Sequence, residues 1–297
     1  MKIGVARTRL TPPWDVPLGG TGQPWSRVRD HLAATALVLA DPQGNILVAI
    51  VSVDLYTADM SLLTAVRQGL APLPMRMPIY LGLSGSPRTP AWASDPHYAQ
   101  FVARQVATAI VQASRSLREG SLAVGAADVP GWTQHRDDPS RPVDQHLVVW
   151  RLEDMGRRPL AVVLSFAGPA NVQQVLAPDE ISRDFPGQVT DLLERELPGV
   201  TGLFLPAAAQ DSVFRPECYS VDRCHTPGVA IAQRALQCWR QARPICLTEA
   251  TQSDLQSAVR IAWPETLLEE VSEQTSEKIR GRRNQQAEAM LLVRGLS

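Results

Sequence analysis

Apolar residues along this chain fall into two rhythms. The runs 33–40 (AATALVLA) and 46–53 (ILVAIVSV) are nearly continuous and rich in β-branched side chains, and Asp41-Pro42-Gln43-Gly44-Asn45 joins them. That combination predicts a hairpin of two buried strands. A second pair, 146–151 and 160–166, turns around Asp154-Met155-Gly156. Shorter strand-like runs lie at 3–7, stopped by Thr11-Pro12-Pro13, and at 79–83, 122–126 and 200–205. Between them the period lengthens. Over 96–117 the residues Tyr98, Phe101, Val102, Val106, Ala109, Ile110 and Ala113 recur every three or four positions, which predicts an amphipathic helix. Ser94 and Asp95 supply its N-cap, Pro96 its first turn, and Gly120 is expected to close it. Further helices are expected at 59–69, 185–197 and 228–241, with a polar one over 265–292. Strands alternating with helices, plus two hairpins, predict an α/β fold with a mixed β-sheet flanked by helices. The expected organisation is one α/β domain over 1–264 and a helical tail over 265–297 suited to a homo-oligomer contact.

Composition narrows the function classes. With 29 Lys+Arg against 30 Asp+Glu, a net charge of −1 excludes a strongly basic nucleic-acid binder, and 44% apolar residues can fill a large core. No apolar run is long enough to span a membrane. The opening residues lack the apolar stretch of an export signal, so a cytoplasmic protein is expected. Cys218, Cys224, Cys238 and Cys246 are then expected to be reduced thiols.

In α/β folds the loops that follow strands carry the chemistry. Four such loops hold reactive side chains here: Ser52-Val53-Asp54, Ser84-Gly85-Ser86-Pro87-Arg88-Thr89-Pro90, Ile181-Ser182-Arg183-Asp184-Phe185-Pro186-Gly187, and Ala209-Gln210-Asp211-Ser212. Each also has a plain reading: Asp54 as a turn cap, Ser182 or Asp184 as a helix N-cap, and the Ser/Gly/Pro loops as ordinary turns. Of the five histidines none forms a H-x-H or H-x-x-x-H pair, so no local zinc grammar exists. His97 and His146 read as structural, while His135, in a polar stretch between strands, is the acid–base candidate. Cys218, Cys224 and His225 form no metal spacing, and Walker A, GxGxxG and GxSxG motifs are absent.

The order of several segments resembles the N-terminal catalytic domain of the neutral/alkaline non-lysosomal ceramidase family. The carrying pieces are Ile3-Gly4-Val5-Ala6-Arg7 before Leu10-Thr11-Pro12-Pro13, Gly19-Gly20, Asp30-His31-Leu32, Val51-Ser52-Val53-Asp54-Leu55 and Arg136. Val143-Asp144, Ser165-Phe166-Ala167, Ile181-Ser182-x-Asp184-Phe185-Pro186-Gly187 and Asp211 continue the series over roughly residues 1–265. The resemblance implies a zinc amidase, yet this chain departs from it at two ligand positions. The family's THTHSGP-type motif is replaced by Ser84-Gly85-Ser86-Pro87-Arg88, and Gly168-Pro169 stands where a second zinc histidine follows the NFA-type strand end. Gln210-Asp211-Ser212 stands near the family's nucleophilic serine. The resemblance therefore implies a degenerate member that lacks the zinc-binding histidines and carries no cofactor.

Three readings follow. The first is a metal-independent enzyme acting on a small-molecule or carrier-bound acyl substrate by acyl transfer, hydrolysis or cyclisation, in specialised metabolism. In it His135 or Asp54 is the base, Ser212 or Ser86 the nucleophile beside Asp211, and Arg88 and Arg136 hold an oxyanion, carboxylate or phosphate. Ser84, Ser86 and Asp184 complete the lining. The second is an inactive homologue that binds a ligand or partner enzyme. The third is a zinc amidohydrolase with a rearranged ligand set such as His135, Asp54 and Asp184.

Overall fold

The computed structural model describes residues 1–245 except 71–72, 74–76, 93 and 220–226, and gives the backbone alone at 173 and 174. The helical tail expected over 265–292 lies outside the described residues, as do Cys224, His225 and Cys246.

In chain order the elements are β1 (Lys2–Arg9), β2 (Arg27–Val28), β3 (Ala33–Ala40), β4 (Ile46–Val53), α1 (Met60–Gln68), β5 (Ile79–Leu83) and α2 (Pro96–Arg115). Then come β6 (Arg118–Asp128), β7 (Thr133–His135), β8 (His146–Asp154), β9 (Pro159–Phe166), α3 (Val172–Leu176) and β10 (Glu180–Ile181). The described part closes with α4 (Asp184–Glu196), β11 (Thr201–Pro206), β12 (Ser212–Phe214), α5 (Pro227–Gln241) and β13 (Arg243–Ile245). The mixed α/β architecture agrees with the periodicities. Two local expectations are corrected. Gly120 does not close α2: Ser116 caps it through N–H bonds to the Gln112 and Ala113 carbonyls, and Gly120 lies inside β6. His135 is not in a loop but ends β7.

The main sheet runs β11-β9-β8-β6-β1-β3-β4-β5, with β13 added against β6. Its two halves join through the register pairs Lys2↔Glu119 and Ile3↔Arg118, extended by the Gly120 N–H on the Met1 carbonyl at 3.1 Å. Each half buries one face under helices. Ala34, Ala36, Val51 and Val53 pack with α1 and α2 in one core, and Val162, Leu164 and Phe204 pack with α4 and α5 in the other. The alternate positions of the same strands face each other across the molecule. Ser52 Oγ donates to the Phe204 carbonyl at 2.8 Å, and a Cβ at Gly82 would stand 2.6 Å from Leu205 Cδ2. The period-2 pattern thus divides each buried strand between a helix-covered face and an inter-sheet face.

α2 shows how the local rules operate. Asp95 Oδ1 accepts from the His97 and Tyr98 amides at 2.7 and 3.4 Å, meeting donors that a helix start leaves open. Its apolar stripe seats on β1 so closely that a Cβ on Gly4 would overlap the Ala113 carbonyl oxygen. Backbone cannot yield as a side chain tip can, so Gly4→Ala is expected to cost about 3 kcal/mol. Thermal unfolding checks this: a midpoint roughly 10 °C lower is expected, whereas an unchanged midpoint would mean that α2 slides freely on β1.

Candidate active site

Two strand pairs in the main sheet are parallel, β4 with β5 and β9 with β11. The β4–β5 ladder runs in register to Val53↔Leu83, and the Ser84 N–H extends it with a 2.9 Å bond to the Val53 carbonyl. Asp54 and Ser84 therefore follow adjacent strands, with a tight turn at Asp54 closed by the Leu55 N–H on the Val53 carbonyl at 2.9 Å. Neighbouring parallel strands lie about 4.8 Å apart. Asp54 Oδ2 accepts from the Ala33 N–H at 2.8 Å and the side chain is buried. Burial pushes its carboxyl up to about 6, against the opposing pull of Arg183. Ser84 is buried too, and its Oγ has no hydrogen-bond partner among the described residues.

The rest of the Ser84 loop is bound into the scaffold. Ser86 Oγ donates to the Ser182 carbonyl at 2.9 Å and accepts from the Arg88 N–H at 3.3 Å. Arg88 is 0% exposed; its Nε donates to the Glu180 carbonyl and its own carbonyl accepts from the Ser182 N–H at 3.2 Å. Glu180 in turn pairs with Arg27 and Arg29, fastening the short β2–β10 ladder. Ser86 and Arg88 thus face the 180–182 segment.

The Ser-x-Asp-Phe-Pro-Gly run also has a physical account. Ser182 Oγ donates to Asp30 Oδ2 at 2.8 Å and accepts from the Asp184 N–H at 2.9 Å. Asp184 sits at φ 58°, a left-handed conformation that favours short polar residues, and its Oδ1 accepts from Val172 and Phe185 amides at 3.1 and 2.7 Å. Phe185 meets Phe204 and Phe214 edge to face. Gly187 leaves room for Arg183, since a Cβ there would stand 2.5 Å from Arg183 Cβ. Arg183 donates from its N–H and Nε to Asp30 Oδ1 at 2.6 and 3.2 Å and from Nη2 to Asp191 at 2.6 Å. Burial lowers its pKa, but Asp54, Asp191 and Asp30 outweigh this and hold it above the ordinary value. A cleft of about 380 Å³ opens here, lined by Asp30, Ser182, Asp184, Gln188 and both Arg29 and Arg195.

A second group gathers on the antiparallel β7–β12 pair, where His135 and Ser212 are direct register partners. Ser212 is 0% exposed and its Oγ lies 3.2 Å from Asp211 Oδ1. His135 Nδ1 accepts from the Asp137 and Asp138 amides, both at 3.2 Å. Two donors on Nδ1 leave Nε2 as the protonated nitrogen of the neutral ring, so neutral His135 offers a donor and not a base. Arg136 and Asp211 are exposed, joined by a 2.7 Å bond from the Arg136 N–H to the Asp211 carbonyl. The structure therefore sets Asp54 and Ser84 after adjacent strands with no hydrogen bond between their side chains, and brings Asp211, Ser212 and His135 to one another, while Ser86, Arg88 and Asp184 hold the surrounding frame. Sequence reading named Ser165, Asp30 and Arg183 within their segments but gave none of them a site role. Ser165 carries the one available signal, a hydroxyl inside an otherwise apolar strand, and its Oγ is buried without a partner among the described residues.

Two solved structures share this architecture. The neutral ceramidase from Pseudomonas aeruginosa superposes with a TM-score of 0.69 at 14% identity over 81% of this chain and 44% of its own. A ceramidase described as complexed with C2 matches with the same TM-score and identity, over 81% of this chain and 43% of its own. The chain has a ceramidase-like fold. It spans less than half the length of either ceramidase. No family model and no curated protein matches the sequence.

Zinc is the metal that the resemblance implies, and the described residues do not fit it. At Gly168, where the second family histidine was placed, a Cβ would already stand 3.0 Å from both the Phe166 and Phe214 rings. Among the described residues no three His, Cys, Asp or Glu side chains converge as a ligand set; His135, Asp54 and Asp184 do not gather. No helix among the described residues is long and apolar enough to cross a membrane.

Proposed function

We propose that this chain is an acyl-processing enzyme, a hydrolase, acyltransferase or cyclase for an amide, ester or thioester of a small or carrier-bound molecule. One observation carries the reading: just past the C-terminal end of β11, where α/β folds place their chemistry, Ser212 Oγ donates to the Asp211 carboxylate at 3.2 Å and Ser212 pairs in register with His135. A hydroxyl next to a carboxylate can accept an acyl group while the carboxylate takes its proton. Neutral His135, protonated at Nε2, supplies a donor of the kind that stabilises a developing oxyanion. Exposed Arg136 suits the carboxylate or phosphate of a substrate or carrier at the rim.

The test is incubation with p-nitrophenyl butyrate, followed by intact mass measurement after acid quench. A burst of nitrophenolate with the mass increment of one butyryl group is the expected result. Protein that stays unmodified and releases no nitrophenolate overturns it.

A second reading, a binding protein without turnover, draws on the burial of Ser212 and the engagement of Ser86 and Arg88 within the frame. Under it, acyl compounds raise the thermal midpoint of a protein whose mass never changes.

A further inference from the structure

We infer that the cleft between α4 and the 29–30 segment binds the phosphate group of a small phosphomonoester, held by Arg29 from one wall and Arg195 from the other. The inference goes beyond the acyl reading and does not depend on it.

The two walls are stitched together at the base of the cleft. β2 pairs in parallel with β10, and the Arg29 N–H continues that ladder onto the Ile181 carbonyl at 2.9 Å. Asp30 then accepts from Ser182 Oγ at 2.8 Å and from the Arg183 N–H at 2.6 Å. The opposite wall is one stripe of α4, where Asp184, Gln188, Asp191 and Arg195 recur every three or four positions and so share a face. Ser182 and Asp184 are buried and hydrogen-bonded to their neighbours, so the floor is fixed. A volume of about 380 Å³ falls in the range of small-molecule sites, about 300–1,000 Å³. Among the described residues that line it, Leu192 alone is apolar, which calls for a polar occupant.

Charge decides the sign of that occupant. Three carboxylates line the cleft, and each is already engaged. Asp30 and Asp191 hold the Arg183 guanidinium at 3.2 and 2.6 Å, and Asp184 Oδ1 accepts from the Val172 and Phe185 amides. Asp184 also opens α4, where the helix dipole offsets its charge. The three do not make a cation site, since no such set of ligands converges among the described residues.

The two arginines of the rim are held loosely. Arg27 takes Glu180 in a close pair and leaves Arg29 a 3.4 Å contact, with the Arg29 side chain 47% exposed. Asp191 pairs with Arg183 and not with Arg195, one turn further along the same face. Arg195 meets only its neighbour Glu196 among the described residues, at 3.5 Å, and is 69% exposed. Exposed pairs of this kind are worth little, so both guanidiniums can turn to a ligand at small cost. Two cations lining one space favour a dianion over a monoanion, and each guanidinium fork matches the oxygens of a phosphate.

Isothermal titration calorimetry of the full chain with glycerol 3-phosphate and with acetate tests the site. Saturable binding of the phosphate ester is expected, with acetate at least about tenfold weaker. Arg29→Gln and Arg195→Gln should each weaken the ester about tenfold, the loss of a charge-assisted hydrogen bond, and together abolish measurable binding. Both side chains are exposed, so the variants should keep the wild-type thermal midpoint. Arg104→Gln, an exposed arginine of α2 outside the cleft, should bind as wild type does. The inference is overturned if wild type binds no ester, if acetate binds as tightly, if the double variant binds unchanged, or if Arg104→Gln loses as much. Nitrophenolate release is a separate readout, so the acyl reading stands or falls independently of these results.

Discussion

Arg88→Met is expected to lower folding stability by about 3–5 kcal/mol and to shift the urea midpoint accordingly. The guanidinium lies wholly inside the protein and donates to the Glu180 carbonyl. Glu180, Asp184 and Asp179 surround it with negative charge. Methionine keeps the apolar stem but removes the donors, so a buried carbonyl loses its bond and nearby carboxylates lose a cation. The damage should centre on the β2–β10 ladder, because the Arg88 carbonyl also receives the Ser182 N–H. Equilibrium unfolding by fluorescence measures the loss. A variant as stable as wild type but weaker in ligand binding would return Arg88 to the substrate-facing role that its sequence context suggested.

Asp54→Asn is expected to act in the opposite direction on stability. The native carboxyl titrates at about 6 against a reference of 3.8. Between those values the native state holds the proton and the unfolded state does not, so wild-type stability falls as pH rises from about 4 to 6 and is level above. That difference corresponds to roughly 3 kcal/mol at pH 7–8. Asparagine keeps an oxygen for the Ala33 N–H and carries no charge to bury. The variant should therefore gain up to about 3 kcal/mol at pH 8 and lose the slope between pH 4 and 6. Denaturation curves at pH 4, 6 and 8 check the stability arm. Parallel curves for both proteins would show that Asp54 is ionised at no cost.

Much of the fold was legible along the chain. The hairpin strands at 33–40 and 46–53 and the strand at 79–83 coincide with β3, β4 and β5, and Asp95 and Pro96 start α2. Gly120 misled because a glycine after a helix signals a cap, whereas here it lets β6 pass close to the Glu153 carbonyl. The site was legible as residue types in strand-end loops and no further. Asp54, Ser84, Ser86, Arg88, Asp184 and Ser212 are alike from sequence, being polar residues after apolar runs. Only spatial partners separate an Arg88 that serves the scaffold from a Ser84 whose Oγ has no partner among the described residues. Ser86 and Ser182 are 96 positions apart and Arg88 and Glu180 are 92, so no local pattern could announce either bond.

The sequence alone therefore determined the elements, their buried faces and the α/β class, because periods of 2 and 3.6 are properties of neighbouring residues. Tertiary structure decided the chemistry. It held Asp54 on the Ala33 amide, paired Ser212 with His135 in register, and closed the Gly168 corner with Phe166 and Phe214. A side chain's reactivity depends on which donors, acceptors and charges surround it once water is excluded, and those neighbours come from distant parts of the chain.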